Sequence, residues 1–178
     1  IDHEVLLERL GRVIPDSNIL RLLEHIVHSF HADTGKGLPM GNQTSQLFAL
    51  YYLDPLDRLV KEKLRVRHYT RYMDDMILLH PDKSMLQDTL RQMTILAEAT
   101  LRIEFNEKTN LFPVKNGVDY LGWHFYLTYT GKVVKRLRTQ NKKRLKRRLK
   151  ELQKGYAEGK IDWEDVRRSM AATLSWTA

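Results

Sequence analysis

Arg65-Val66-Arg67-His68-Tyr69-Thr70-Arg71-Tyr72-Met73-Asp74-Asp75-Met76-Ile77-Leu78-Leu79 sets two adjacent carboxylates between two runs of strand-forming residues. Ahead of the pair, Val66, His68, Thr70 and Tyr72 alternate with Arg65, Arg67, Tyr69 and Arg71; behind it comes the apolar run Met76 to Leu79. A strand, a turn and a buried strand fit these periods best. Two carboxylates a few Å apart repel by roughly 4 kcal/mol at an effective dielectric of ~20, so a site that forces them together calls for a neutralising cation. Oxygen-only ligands suit Mg²⁺ or Mn²⁺. Asp-Asp is also an ordinary, well-solvated turn dipeptide, and the hairpin taken by itself leaves both readings open.

The flanking sequence separates them. Gly37-Leu38-Pro39-Met40-Gly41-Asn42-Gln43-Thr44-Ser45-Gln46 opens a long apolar-periodic segment upstream, and Asn106-Glu107-Lys108-Thr109-Asn110 and Tyr120-Leu121-Gly122-Trp123-His124-Phe125 follow downstream. With these four blocks in this order, the chain resembles bacterial reverse transcriptases over essentially its whole length. The resemblance implies an RNA-directed DNA polymerase that extends a DNA or RNA primer on an RNA template with dNTPs. It assigns catalysis to Asp74 and Asp75, with two Mg²⁺ ions, Asp74 a direct ligand and Asp75 an assisting carboxylate. Tyr72 and Met73 would line the primer end, and Met40, Gly41, Asn42, Ser45 and Gln46 would support template and incoming nucleotide. Lys108 would meet the triphosphate or protonate pyrophosphate, and Tyr120, Leu121, Gly122 and Trp123 would form the primer grip. Most retroviral, retron and group II intron enzymes carry Gln-Gly and Ser-Pro where this chain has Met40-Gly41 and Ser45-Gln46. That variation resembles the reverse transcriptases of diversity-generating retroelements, which copy a template RNA with frequent errors at adenines and usually work with a small basic accessory protein.

Each block also has a plain structural reading. Asn42 or Thr44 would cap a helix, a lone lysine near a turn is ordinarily just solvated, and Trp123 packs in the core as well as supporting a primer. The family's first catalytic aspartate lies on a strand just before a stretch resembling Ser-Ile-Asp-His, whereas this chain opens at Ile1-Asp2-His3. The strand carrying that aspartate, the fingers and the aromatic gate against ribonucleotides are therefore expected upstream of residue 1, and the fragment is expected to be inactive alone. Asp2 does not replace the absent ligand, because Asp2-His3-Glu4-Val5 reads as a helix start with Asp2 as N-cap. Both ends of the chain read as cut.

The 178 residues are 42% hydrophobic, enough to bury a core. No apolar run approaches the ~20 residues of a membrane span and no signal peptide is evident, so cytoplasmic residence is the default. The absence of cysteine excludes disulfides, zinc knuckles and thiol catalysis. Charge is concentrated: Lys132 to Lys154 holds twelve Lys or Arg and the single acid Glu151, so with the whole chain at +8 the remainder sums to −3. Leu145, Leu149, Leu152 and Tyr156 recur at helical spacing, placing Lys142, Lys143, Arg144, Lys146, Arg147, Arg148 and Lys150 on the solvent faces of an amphipathic helix. Such a helix suits a nucleic-acid backbone, although charge runs are commonly just solvated. Its place after the primer-grip block fits a thumb.

The expected fold class is α+β: a polymerase palm with an RRM-like sheet and helices over residues 1–130, lacking one strand, then a basic helical thumb over 131–178, truncated at its C-terminus. Helices are expected from Val5 to Leu10, after Asp16, from Gln43 to Lys63 with Leu47, Leu50, Leu53 and Leu56 inward, and after Asp82. Leu101, Ile103 and Phe105 should form a strand, Val118 to Thr128 a hairpin, and Asp162-Trp163-Glu164-Asp165 should open a last helix with Trp163, Val166 and Met170 buried, after a turn marked by Gly155 and Gly159. His25, His28 and His31 lack the accompanying ligands of a zinc site. Asp54 and Asp57 read as solvated helix charges. Competing functions are a catalytically silent polymerase-like nucleic-acid binder, a group II intron or retron-type enzyme, and an RNA-dependent RNA polymerase. Template, target gene and oligomeric state are not legible in one sequence.

Overall fold

A computed structural model describes residues 1–30, 34–39 and 41–175, with side chains through Thr173. His31 and Met40, both singled out above, lie outside the described residues, as does part of the loop expected between Ala32 and Gly41. The chain is an α+β mixture of helices and small antiparallel sheets, and it divides into two compact units, Ile1–Leu111 and Phe112–Ala178.

In the first unit, Asp2 caps α1 (His3–Gly11), its carboxylate accepting from the Val5 N–H at 3.1 Å, and Asp16 caps α2 (Ser17–His28) in the same way. The long helix α3 (Gln43–Arg58) buries Phe48, Tyr52 and Leu56 and passes into a π-helical turn at Leu59–Lys63. Leu47 and Leu50, expected inward, are exposed. At 3.6 residues per turn, leucines spaced by three drift around the helix until Leu47 and Leu56 lie about 180° apart, whereas steps of four stay on one side. Pro55 within α3 has no N–H to give the Tyr51 carbonyl; the Arg9 guanidinium supplies one at 3.1 Å, and the Tyr51 hydroxyl donates back to the Arg9 carbonyl at 2.8 Å.

α4 (Lys83–Leu101), capped by Asp82, buries Thr89, Met93, Ala97 and Leu101. The expected strand at 101–105 does not form. Leu101 closes α4, Arg102 takes a left-handed φ of 49°, and Ile103 and Phe105 pack on the core with no strand partner among the described residues. The buried Tyr52 hydroxyl ties three elements together, accepting from the Asp2 N–H at 3.2 Å and donating to the Leu101 carbonyl. Burial of the fully enclosed Leu6, Leu56 and Leu101 contributes roughly 1.5–3 kcal/mol each.

The second unit holds a three-stranded antiparallel sheet, β3 (Val118–Tyr120), β4 (Trp123–Leu127) and β5 (Val133–Leu137), so the expected hairpin gains a third strand. Two helices follow, α5 (Thr139–Ala157) and α6 (Trp163–Ser175). Gly155 lies inside α5 rather than in the turn; Ile161 packs so closely that a Cβ there would meet its Cδ1 at 3.2 Å. Asp162 and Asp165 form a reciprocal capping box, the Asp165 N–H donating to Asp162 Oδ1 at 2.7 Å and the Asp162 N–H to Asp165 Oδ2 at 3.3 Å. Val166 is buried and Met170 half-buried, but Trp163 is exposed. As the first residue of α6 it projects beyond the helix contact and meets Tyr156 edge-on at 6.2 Å.

Candidate active site

The carboxylate pair sits where the sequence puts it, at the tip of an antiparallel hairpin. β1 (His68–Tyr72) and β2 (Asp75–Leu79) pair in the register Tyr72↔Asp75, leaving Met73-Asp74 as a two-residue turn. Val66, 1% exposed, anchors the approach by donating its N–H to the Val60 carbonyl at 2.9 Å. β2 is less buried than its apolar run suggests: Met76, Ile77 and Leu78 are half-buried and Leu79 is exposed, because among the described residues the sheet here has two strands. Asp74 and Asp75 are both exposed, and among the described residues neither makes an ion pair. Asp74 and Met73 border an otherwise apolar cavity of ≈ 310 Å³, shared with Ile1, Ala49, Tyr52, Leu53 and Ile103.

The inward face of β1 is Tyr69 and Arg71, and both reach Asp57 on α3. Arg71 Nε donates to Asp57 Oδ1 at 2.8 Å and Oδ2 at 3.1 Å, Nη2 donates to Oδ2, and the Tyr69 hydroxyl donates to Oδ1 at 2.6 Å. Asp57 is therefore not the solvated charge expected. Burial pushes its pKa up, but the hydrogen bonds from Arg71 and Tyr69 and the Arg71 charge outweigh that and hold the carboxyl below its ordinary value. The hydrogen bond to Asp57 raises the Arg71 pKa against the effect of burial; burial first and then the Asp57 carboxylate raise that of Tyr69. Asp54, by contrast, makes an exposed i,i+4 pair with Arg58. The sequence reading missed Arg71, Tyr69 and Asp57 as parts of the site.

The Gly41-to-Gln46 block begins α3, whose next turn contributes Ala49 to the same cavity. Gly41 takes a positive φ of 83°, and Asn42 is the N-cap, accepting from the Thr44 N–H at 3.1 Å. Ser45 Oγ donates to the Pro39 carbonyl at 2.6 Å, which spends its hydroxyl hydrogen locally, while Gln46 is exposed. Exposed Lys108 lies in a turn where Asn106 Oδ1 accepts its backbone N–H at 2.9 Å. Among the described residues no group of three or more His, Cys, Asp or Glu is placed to hold a metal, His25 and His28 included.

In the second unit, Tyr120↔Trp123 closes the two-residue turn Leu121-Gly122, with φ of 48° and 84°. Positive φ at both positions defines the turn whose twist matches a hairpin. The Gly122 carbonyl accepts from the Arg138 N–H at 3.2 Å and from Asn141 Nδ2 at 3.1 Å, fastening the turn to the start of α5. Half-buried Trp123 carries Lys135 Nζ 3.8 Å above its ring. Lys142, Lys143, Arg144, Lys146, Arg147, Arg148 and Lys150 are all exposed on α5, where Arg148 also donates to Ser169 Oγ at 2.9 Å.

Residues 1–125 match the family model described as reverse transcriptase (RNA-dependent DNA polymerase). The chain belongs to the reverse transcriptase family, whose members use divalent metals such as Mg²⁺ and act on a nucleic-acid template and primer. A search of curated proteins finds no match. No helix among the described residues is long and apolar enough to cross a membrane.

Proposed function

We propose that this chain is the palm (1–130) and basic thumb (131–178) portion of an RNA-directed DNA polymerase that extends a primer on an RNA template with dNTPs by two-metal phosphoryl transfer, from the diversity-generating retroelement class. The observation that carries the reading is the pair Asp74-Asp75: adjacent, exposed, at a two-residue turn, without an ion-pair partner among the described residues. Exposed carboxylates without an ion-pair partner among the described residues are available as oxygen ligands to a divalent cation.

The oxygen-only donors fit Mg²⁺ or Mn²⁺ and supply two carboxylates of a larger set. Asp74 would be the direct ligand and Asp75 the assisting one. Ions held by these carboxylates would supply Lewis acidity at the primer 3′ hydroxyl and neutralise charge on the leaving pyrophosphate. Tyr72 and Met73 line the primer end; Gly41, Asn42, Ser45 and Gln46 lie beside template and nucleotide; Lys108 meets the triphosphate. Asn42 and Ser45 have structural bonds of their own, so their contribution is to fix the backbone of that block. Tyr120, Leu121, Gly122 and Trp123 hold the primer, and the α5 cations hold the hybrid backbone. The Ser45-Gln46 pair supports the retroelement class, with a small basic accessory protein as partner.

Primer extension by the full-length protein on an RNA template with Mg²⁺ tests this. Asp74→Ala should lower synthesis by at least about 10³-fold, because several kcal/mol of transition-state charge stabilisation go with the ligand. Hybrid Kd should change by less than about 3-fold, since phosphate contacts carry that affinity. Errors enriched at template adenines support the retroelement class, and evenly spread errors count against it. Synthesis retained by Asp74→Ala would sink the metal assignment; hybrid binding without extension by the unsubstituted protein would favour a silent binder.

A further inference from the structure

Met73, the first residue of the Asp74 turn, takes a φ of 53°. Two-residue hairpin turns put glycine, asparagine or aspartate in that region, because a side chain bearing Cβ is strained there. Something outside the turn must over-determine the conformation. The group placed to do so is Arg71, whose Nη1 donates to the Met73 carbonyl at 3.0 Å while Nε and Nη2 hold Asp57. The Arg71 side chain is only 9% exposed, and Asp57 is held in turn by the Tyr69 hydroxyl. A guanidinium is planar, with its donors in a fixed fork. Once Asp57 fixes the Nε–Nη2 edge of that plane, the directions of the remaining N–H groups are fixed with it, and the Met73 carbonyl lies along one from Nη1. That carbonyl belongs to the peptide whose N–H is that of Asp74.

We propose that Arg71, oriented by Asp57 and Tyr69, is a positioning residue that sets the Met73-Asp74 peptide and thereby where the Asp74 carboxylate lies. It acts through Asp74 and touches neither substrate nor metal. The inference rests on the reading of Asp74 as a metal ligand. It adds a chain of control that begins on α3, so that the helix entered through the Gly41–Gln46 block also sets the catalytic turn.

Arg71→Lys discriminates, because a single ammonium can keep the charge pair with Asp57 but cannot also hold the Met73 carbonyl in the same fixed plane. In the full-length protein, kcat should fall about 10- to 100-fold, the scale of a catalytic group misplaced by about 1 Å. The Mg²⁺ concentration for half-activation should rise several-fold, while hybrid Kd and dNTP KM stay within about 2-fold, because binding contacts are not displaced. Tyr69→Phe, which removes one hydrogen bond from Asp57, should shift kcat and Mg²⁺ demand in the same directions by about 2- to 5-fold, and it decides the matter if Arg71→Lys does not fold. Wild-type kcat and Mg²⁺ response in Arg71→Lys, or in Tyr69→Phe if only that variant folds, would overturn the proposal and leave an ordinary ion pair. Asp74→Ala run alongside separates the two failures. If it is inactive while Arg71→Lys behaves as wild type, the metal reading stands and only the positioning role falls; if it remains active, the metal reading itself falls.

Discussion

Asp57 makes the clearest residue-scale case for partners that are distant in sequence. Along α3 the helix spacing rule pairs Asp54 with Arg58 and offers Asp57 only Lys61, four residues on, so a solvated charge is the natural expectation. Its partner is fourteen residues away, on a strand whose register decides which side chains turn inward. Charge patterning within one element cannot see that pair. The consequence for stability follows from linkage. The Asp57 carboxyl titrates below its ordinary value in the folded chain, so its contribution is fully present above the unfolded pKa of ~3.9 and is lost as pH falls through the lower folded value. Asp57→Asn should therefore lower Tm at neutral pH, and the gap between variant and parent should close as pH drops below about 4. Urea unfolding of both proteins across pH 3 to 7 checks this; a gap constant to pH 3 would contradict the assignment.

Among the elements, caps and turns were the most legible. Asp2, Asp16 and Asp82 cap the helices that their sequence positions announced, because a carboxylate one residue ahead of an apolar period has a short list of uses. Faces were less legible. The leucines of α3 outnumber its other large apolar residues, yet the buried stripe runs through Phe48, Tyr52 and Leu56, since the angle per residue outranks residue type. The 101–105 stretch alternates like a strand but has no partner among the described residues, and alternation without a ladder is only an extended segment. At the Leu121-Gly122 turn the sequence showed glycine but not that Leu121 also takes φ of 48°. Leu121→Asn should raise stability by about 0.5–1 kcal/mol, as asparagine tolerates that region. If the exposed Leu121 side chain is kept there for primer contact, the same variant should also raise the KM for primer–template. Thermal unfolding together with steady-state extension measures both, and unchanged KM would remove Leu121 from the grip.

Across the whole molecule, charge and packing divide the chain by different criteria. Composition changes near residue 131, where the basic run begins, but the Gly122 carbonyl accepts from Arg138 and Asn141, so the hairpin and the basic helix are built as one piece. A sequence shows where the cations are; only contacts show what they are fastened to. The physical result is a helix with eight exposed cations joined by hydrogen bonds to the turn assigned to the primer. Lys142, Lys146 and Lys150 recur every four residues and so form one stripe along α5. If that stripe follows a hybrid backbone, each phosphate it neutralises adds roughly 0.7–0.9 to the slope of log affinity against log salt concentration. Replacing all three with glutamine should flatten the slope by about 2 to 3 and weaken hybrid binding evenly across sequences, with kcat at saturating hybrid within about 2-fold of the parent. Fluorescence anisotropy of a labelled hybrid over 50–300 mM salt reads the slope directly. An unchanged slope would return these lysines to the role of a solvated helix face and leave hybrid affinity to be carried by other residues.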